Sequence, residues 1–316
     1  MIKSKLVWIL LLMLISSLWG IHDDAGTSGF NFLKMNFSTR AAAMGNAYTG
    51  LSNDADGVFF NPAGLVRTTR MELATTYLNY FEGYNGGSLA FVLPVEKNIR
   101  LATFIQFLTT SDIEKTLVDA AGNYAGTDGT FGSTDFVVGL SYARVLNDVL
   151  YLGSNLKFIS ETIDDNNAVA IAGDISLMHR TTNDDLMLGA SLRNVGKQLT
   201  YFTDAEYAEG LPTVAEVGFS YHPLEQLYAN LDICKPLTSD IYGKLGVEYK
   251  VHRLLSLRGG YKTNAADWKL GGDYDWLSGV SMGFGVCWKS YMIDYAAVSY
   301  GDLGLVNQFS IKYLFK

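Results

Sequence analysis

Apolar and polar residues alternate along the chain over segments that are long for β-strands. Within residues 149–161, Leu152 and Leu156 point to one side of an extended chain, and Asn155 and Lys157 point to the other. Strands of soluble proteins average about 5–6 residues. A strand of roughly 9–11 residues can cross a bilayer at a tilt. The length of the alternating segments therefore favours a transmembrane β-barrel over the alternative, a soluble β-sandwich.

Alternating segments recur from residue 70 to the end of the chain. We place them near residues 70–81, 87–95, 99–109, 134–145, 149–161, 168–180, 185–195, 213–222, 226–234, 241–251, 253–262, 278–288, 290–299 and 304–316. Their apolar rows carry aromatic residues near strand ends, among them Tyr221, Tyr249 and Trp288, which is typical of membrane barrels. The prediction is an all-β protein, a transmembrane antiparallel β-barrel of about 14 strands over residues 70–316.

The connections between these segments alternate in length. Those after even-numbered segments are short, whereas residues 110–134, 196–212 and 263–276 form longer loops after odd-numbered segments. Membrane barrels have short periplasmic turns and longer extracellular loops. The alternation therefore predicts that both termini lie in the periplasm.

The first 20 residues are predicted to be a signal peptide. Lys3 and Lys5 precede an apolar run over residues 6–15, and Gly20 marks the expected cleavage site. No later run of 18 apolar residues follows, so a membrane-embedded mature chain has to be a closed barrel. The predicted location is the outer membrane of a Gram-negative bacterium, with the lipid bilayer as its first partner.

Composition excludes several classes of function. The net charge of −8 gives no electrostatic basis for nucleic-acid binding. The two cysteines, Cys234 and Cys287, cannot form a disulfide framework and are expected to be free. No P-loop, nucleophile elbow or metal-ligand cluster occurs, so we expect no catalytic residue, no metal and no cofactor. The chain is predicted not to be an enzyme.

Residues 21–69 differ from the barrel segments because they are rich in Gly, Ala, Asn and Asp. Small residues around Met44 and Gly45 allow close packing against other backbone. Residues 53–57 are predicted to be a polar turn rather than a calcium loop. The run at residues 61–65, NPAGL, breaks the chain before the first barrel strand.

Residues 26–65, GTSGFNFLKMNFSTRAAAMGNAYTGLSNDADGVFFNPAGL, resemble the N-terminal signature of the PorV/PorQ family. That family is related to the FadL-type fatty-acid channels, which share the NPAGL ending. The resemblance implies a 14-stranded barrel whose N-terminal segment, here residues 21–69, folds back as a hatch in the lumen. It assigns the hatch motif to Arg40, Met44, Gly45, Asn61, Pro62, Ala63, Gly64 and Leu65.

Charged residues lie on the polar faces of the predicted strands. A wet lumen tolerates such charges, and they could hold the hatch or, in a porin, tune selectivity; the hatch role is favoured. The predicted lumen polar network comprises Lys157, Asp174, Arg193, Glu216, Glu248, Arg258 and Asp294.

Three functions are compatible with this sequence. The resemblance favours a PorV/PorQ-like protein of type IX secretion, which handles secreted cargo with C-terminal signal domains or contacts other secretion components. The alternative is a FadL-like channel for hydrophobic ligands such as long-chain fatty acids. A plain porin is the third candidate.

Overall fold

The computed structural model describes residues 26–181, 185–203 and 208–316. The predicted signal peptide, residues 1–20, lies outside the described residues. Fourteen strands account for most of the described chain. They are β1 Glu72–Asn79, β2 Asn85–Glu96, β3 Ile99–Val118, β4 Tyr124–Val145, β5 Leu150–Ile163, β6 Asn166–Arg180, β7 Leu186–Thr200, β8 Val214–Leu224, β9 Leu227–Pro236, β10 Tyr242–His252, β11 Leu255–Lys262, β12 Val280–Trp288, β13 Tyr291–Ser299 and β14 Leu305–Leu314.

The strands form one closed antiparallel barrel. Each strand pairs with its neighbours in sequence, and β1 closes the ring on β14, from Glu72 opposite Leu314 to Asn79 opposite Asn307. Closure gives every strand a paired neighbour on both sides, as membrane insertion requires. The prediction of an all-β barrel of 14 strands is confirmed, and the soluble sandwich is excluded.

The outer surface of the barrel is apolar. Leu140, Leu156 and Ile175 stand 62%, 63% and 56% exposed at the middle of their strands. Aromatic rings gather at one end, where Tyr291 packs on Tyr313 with ring centroids 4.9 Å apart. An aliphatic band bordered by aromatic rings is typical of a bilayer-spanning barrel. None of the helices in the described parts of the chain is long and apolar enough to cross a membrane.

The two ends of the barrel differ. At the short-turn end, adjacent strands are joined by residues 97–98, 146–149, 181–185, 225–226, 253–254 and 289–290. At the opposite, long-loop end, the connections at residues 201–213 and 263–279 are longer, and the latter contains 3-10 turns at Thr263–Trp268 and Asp275–Leu277. The last strand ends at the short-turn end, as the sequence predicts.

The segment predicted as a loop at residues 110–134 is instead strand. β3 and β4 continue pairing to Val118 opposite Tyr124, so that a long hairpin projects from the long-loop end. Threonines and β-branched residues favour this extended pairing. Beyond Thr109 and Ser133 the hairpin has no neighbouring strand at either edge. The prediction of a long loop here is wrong.

The pairing of β7 with β8 covers only part of β7. It runs from Leu186 opposite Tyr221 to Arg193 opposite Val214, whereas β7 continues to Thr200 against β6 alone. Between Arg193 and the long-loop end, therefore, no hydrogen-bonded ladder joins β7 to β8. Pro212 and Thr213 contact Asn194 at this place, and Gly210 forms an isolated bridge with Ser28.

The N-terminal segment, here residues 26–71, lies inside the barrel. It contains a one-turn α-helix at Thr39–Ala42 and 3-10 turns at Asn31–Lys34, Ala55–Phe59 and Pro62–Arg67. Tyr48, Leu51 and Leu65 are fully buried in the core that it forms with the wall. Because Ser28 pairs with Gly210, the described chain begins at the long-loop end. The periplasmic position of both termini remains a prediction.

Candidate functional site

The N-terminal segment lies directly on glycines of the barrel wall. Gly246 faces Met44, and a Cβ atom there would come 2.5 Å from the Met44 carbonyl oxygen. A Cβ at Gly260 would overlap the backbone nitrogen of Gly45. The wall glycines that contact the segment in this way are Gly153, Gly189, Gly218, Gly246, Gly260 and Gly283. Six strands thus have a glycine where the segment approaches the wall closely, and a larger residue there would collide with the segment.

Gly45 itself has two reasons to be glycine. Its φ of +61° is left-handed, and a Cβ atom would come 2.6 Å from the Tyr261 nitrogen. Its N–H donates to the Ser281 hydroxyl at 2.8 Å. The predicted motif residues Met44 and Gly45 therefore supply a close backbone contact rather than a ligand site.

Arg40 joins the segment to the wall through the first of two ion clusters. Its guanidinium donates to both carboxylate oxygens of Glu248 at 2.8 Å. Within the segment it reaches Asp54 at 3.0 Å. Arg258 also donates to Glu248, at 2.6 Å, and to Asp294, at 2.5 Å. Bidentate pairing of this kind fixes geometry as well as charge.

Lys312 extends the first cluster from β14. Its ammonium lies 2.6 Å from Asp54 and 2.8 Å from Asp56, and Ser38 donates to Asp56 at 2.6 Å. Burial raises the pKa of Asp54, but the positive charges of Lys312 and Arg40 outweigh burial and hold this pKa below its ordinary value. Asp54 is therefore ionised and anchors the segment.

The second cluster lies across β5 to β10. Glu216 accepts from Arg193 and Lys244, both at 2.7 Å, and from the Thr49 hydroxyl at 2.7 Å. Arg193 also donates to the Phe59 carbonyl at 2.8 Å. Lys157 pairs with Asp174 at 2.7 Å. Charged side chains of the wall thus pair with one another and form hydrogen bonds with polar groups of the segment.

The NPAGL run makes polar contacts at the same wall. The Asn61 amide donates to the carbonyls of Thr49 and Leu177, at 2.9 and 3.1 Å. The Ala63 N–H donates to the Ser176 hydroxyl at 3.0 Å. Pro62, Gly64 and Leu65 are buried beside them. These contacts hold the end of the segment just before β1.

All seven residues of the predicted lumen network point inward, but they fall into two clusters rather than one. The network predicted from sequence does not include Lys244 and Lys312, although both alternate with apolar neighbours in the same way as its seven members. It also omits Asp232, which accepts from the N–H groups of Tyr48 and Thr49 at 2.7 and 2.8 Å. Residues 53–57, predicted to be a polar turn, contain the beginning of a 3-10 turn. Acidic side chains of this stretch form ion pairs with Arg40 and Lys312.

The segment separates two cavities that share no lining residue in the described chain. The long-loop cavity has a volume of about 620 Å³ and lies between Phe59 and Phe60 of the segment and the long-loop end. The short-turn cavity, of about 720 Å³, is lined by Arg40, Asp54 and the turn at residues 225–226.

The walls of the long-loop cavity combine aromatic and aliphatic side chains with polar and charged ones, among them Lys34, Lys262, Asp135 and Glu161. Phe59 and Phe104 meet edge to face with centroids 5.5 Å apart, and Leu108 lies beside them. Near the mouth, Trp268 packs on Tyr300 at 4.4 Å. The cavity also meets the wall at Pro212 and Val214, where the β7–β8 ladder ends. A cavity of this size that places polar groups beside apolar side chains has the character of a small-molecule site.

Solved outer-membrane channels share this fold. The toluene transporter TbuX of Ralstonia pickettii superposes with a TM-score of 0.61 at 15% identity, covering 89% of this chain and 99% of that one. The toluene transporter TodX of Pseudomonas putida gives 0.62 at 12% identity, over 88% and 96% of the two chains. A FadL homologue of Pseudomonas aeruginosa gives 0.58 at 11% identity, over 89% and 98%.

No family model and no curated protein sequence matches the chain. At these identities the structural similarity establishes the barrel architecture alone. The fold of this chain is that of FadL-type hydrocarbon channels, which matches the FadL part of the resemblance at residues 26–65. The neighbours are transport proteins rather than enzymes.

Proposed function

We propose that the protein is an outer-membrane channel that takes up hydrophobic small molecules into a Gram-negative cell, and that it is not an enzyme. The observation that carries this proposal is the long-loop cavity, whose volume of about 620 Å³ suits a small organic ligand. The apolar side chains among its walls, such as Phe59, Phe104 and Leu108, would bind the apolar part of a ligand by burial of apolar surface. The barrel architecture shared with the toluene transporters supports the same class of ligand.

The N-terminal segment acts as a hatch in this proposal. It lies between the two cavities and is held by Arg40, Asp54 and the wall glycines. A ligand in the long-loop cavity would pass either by movement of the hatch or through the wall near Val214, where β7 lacks its β8 partner. The short-turn end faces the periplasm, as in other barrels with short turns.

The proposal is tested by uptake in a host strain that lacks its own hydrocarbon channel. Expression of the protein should raise the uptake of labelled toluene or a long-chain fatty acid, and not that of a hydrophilic sugar. Leu108→Trp would fill the long-loop cavity and should abolish the gain. Leu89→Trp, on the lipid-facing side of the wall, is the matched control and should retain it. Equal uptake with and without the protein would refute the proposal.

Type IX secretion remains the second candidate. It is supported by the resemblance of residues 26–65 to the PorV/PorQ signature and by the projecting β3–β4 hairpin, which offers unpaired edges to a cargo protein. A stable contact needs about 800 Å² on each partner. A deletion strain of the native host separates the candidates: cargo with C-terminal signal domains would accumulate in the periplasm only if the protein serves secretion.

A further inference from the structure

Buried carboxylates inside this barrel have donors, with one exception. Glu248, Glu216 and Asp174 are ion-paired, and so are the other buried acids Asp54, Asp56 and Asp294. Asp232 and Glu72 accept backbone N–H groups. Asp135 is 6% exposed, and its side chain has no hydrogen-bond or ion-pair partner in the described residues. A buried carboxylate without a partner is costly to maintain.

Asp135 lies next to a second carboxylate. It is the cross-strand partner of Glu161, so both side chains point into the lumen from β4 and β5, and both line the long-loop cavity. The Glu161 carboxylate has one donor, the N–H of Phe30, and its second oxygen is buried without a partner. Like charges placed opposite each other repel in an empty site. A cation between them would relieve that repulsion.

Among the described residues no cation forms an ion pair with either acid, although Lys34 and Lys262 line the same cavity. Lys157 lies four residues from Glu161 on β5, about 13 Å along the strand, and is already bound to Asp174 and Asn194. Apolar surface adjoins the two acids instead. Leu108 on β3 is the cross-strand partner of Asp135, and Phe104, four residues away on the same strand, faces the same lumen.

We propose that the long-loop cavity takes a hydrophobic molecule that carries a protonated amine, with the ammonium between Asp135 and Glu161 and the apolar part against Leu108 and Phe104. This inference rests on the proposed channel function and specifies its substrate class. An ammonium donates to both carboxylates, and its apolar part gains from the adjacent wall. A bare metal ion fits less well, because no group of three or more metal-ligating side chains is present among the described residues.

The test compares three probes of one shape: 4-phenylbutylamine, 4-phenyl-1-butanol and 4-phenylbutyrate. Binding to the purified full-length barrel in detergent is measured by calorimetry. The amine should bind about tenfold tighter than the alcohol, as a charge-assisted hydrogen bond implies, and the carboxylate weakest. The double variant Asp135→Asn with Glu161→Gln should reduce amine binding to the level of the alcohol and leave the alcohol unchanged. Asp128→Asn, on the projecting hairpin, is the matched control and should bind as wild type.

The outcomes separate this inference from the channel proposal. If the alcohol binds and the amine binds no tighter, or the carboxylate binds tightest, the amine specificity is wrong while the channel proposal stands. If none of the three probes binds, the amine site is wrong, and the uptake of toluene decides the channel proposal separately. A titration with calcium chloride tests whether the site binds a metal ion instead. Calcium binding that depends on Asp135, together with no preference for the amine, would overturn the inference.

Discussion

Arg40 and Glu248 form a bidentate ion pair, 208 residues apart in sequence, that joins the N-terminal segment to β10. Both side chains are buried, and Glu248 is also held by Arg258. A carboxylate shared by two guanidinium groups inside a protein is favourable only when its oxygens are well satisfied. The pair therefore depends on the segment lying where it does, and the segment depends on the pair.

Removal of the Arg40 charge should weaken docking of the segment. Arg40→Met leaves Asp54 and Glu248 with one cation each, and we expect a loss of roughly 3 kcal/mol in the free energy of unfolding. Urea unfolding of the purified barrel gives this value. In a double-mutant cycle with Glu248→Gln the two losses should be far from additive, because each variant removes the same contact.

The exposed pair between Lys115 of the projecting hairpin and Asp164 of the β5–β6 turn serves as the control for this cycle. Its atoms are 2.8 Å apart, but its side chains are 51% and 36% exposed. Lys115→Met should destabilise the barrel far less than Arg40→Met, because solvent screens an exposed pair. A loss of similar size at Arg40 and Lys115 would show that the buried pair has no special role in docking.

A second prediction concerns the wall glycines. A side chain at Gly260 would overlap Met44 and Gly45 of the segment, whereas a Cβ at the adjacent Gly259 meets nothing within 4 Å. Gly260→Leu should displace the segment and raise single-channel conductance in planar bilayers. Gly259→Leu should leave conductance at the wild-type level. Unchanged conductance in both variants would mean that the segment does not limit the pore.

The number of strands and the direction of their side chains could be predicted from sequence, because period-two alternation reports the inward and outward faces directly. The length of β3 and β4 could not. Beyond Thr109 the hairpin leaves the membrane, so both of its faces are solvated and the apolar row disappears, although the backbone pairing continues to Val118.

The lumen contacts were predictable only in part. Asn194 illustrates the limit: alternation with Arg193 places it on the lipid side, but a bulge at this position, where Asn194 has a φ of 59°, turns both residues inward. Asn194 then accepts from Lys157 at 2.8 Å and its N–H donates to Asp174. Pairings such as Lys312 with Asp54 join distant parts of the chain, and one sequence contains no signal for them.

Shortening of the projecting hairpin distinguishes the two candidate functions. Thr110 and Ser133 are cross-strand partners, so residues 111–132 can be replaced by an Asn-Gly turn without disturbing the barrel. We expect the shortened protein to keep heat-modifiable migration on gels and full uptake of hydrophobic molecules. Loss of uptake would place part of the ligand path in the hairpin, and loss of cargo secretion alone would favour the type IX function.

Thiol accessibility tests the position of the segment in intact cells. Ala47 and Ala55 are fully buried in the segment, whereas Val118, at the tip of the β3–β4 hairpin, is 68% exposed. In a background in which the native thiols Cys234 and Cys287 are replaced by serine, a cysteine at position 47 or 55 should resist a bulky external maleimide. A cysteine at position 118 should react within minutes and serves as the control.

The same variants can then be combined with Gly260→Leu. Because that change displaces the segment, position 47, three residues after Met44, should become reactive while position 118 is unaffected. Labelling of position 47 in the otherwise wild-type barrel would show that the segment leaves the lumen spontaneously. Protection that persists in the Gly260→Leu background, together with normal conductance, would show that the wall glycines do not hold the segment and that its ion pairs alone suffice.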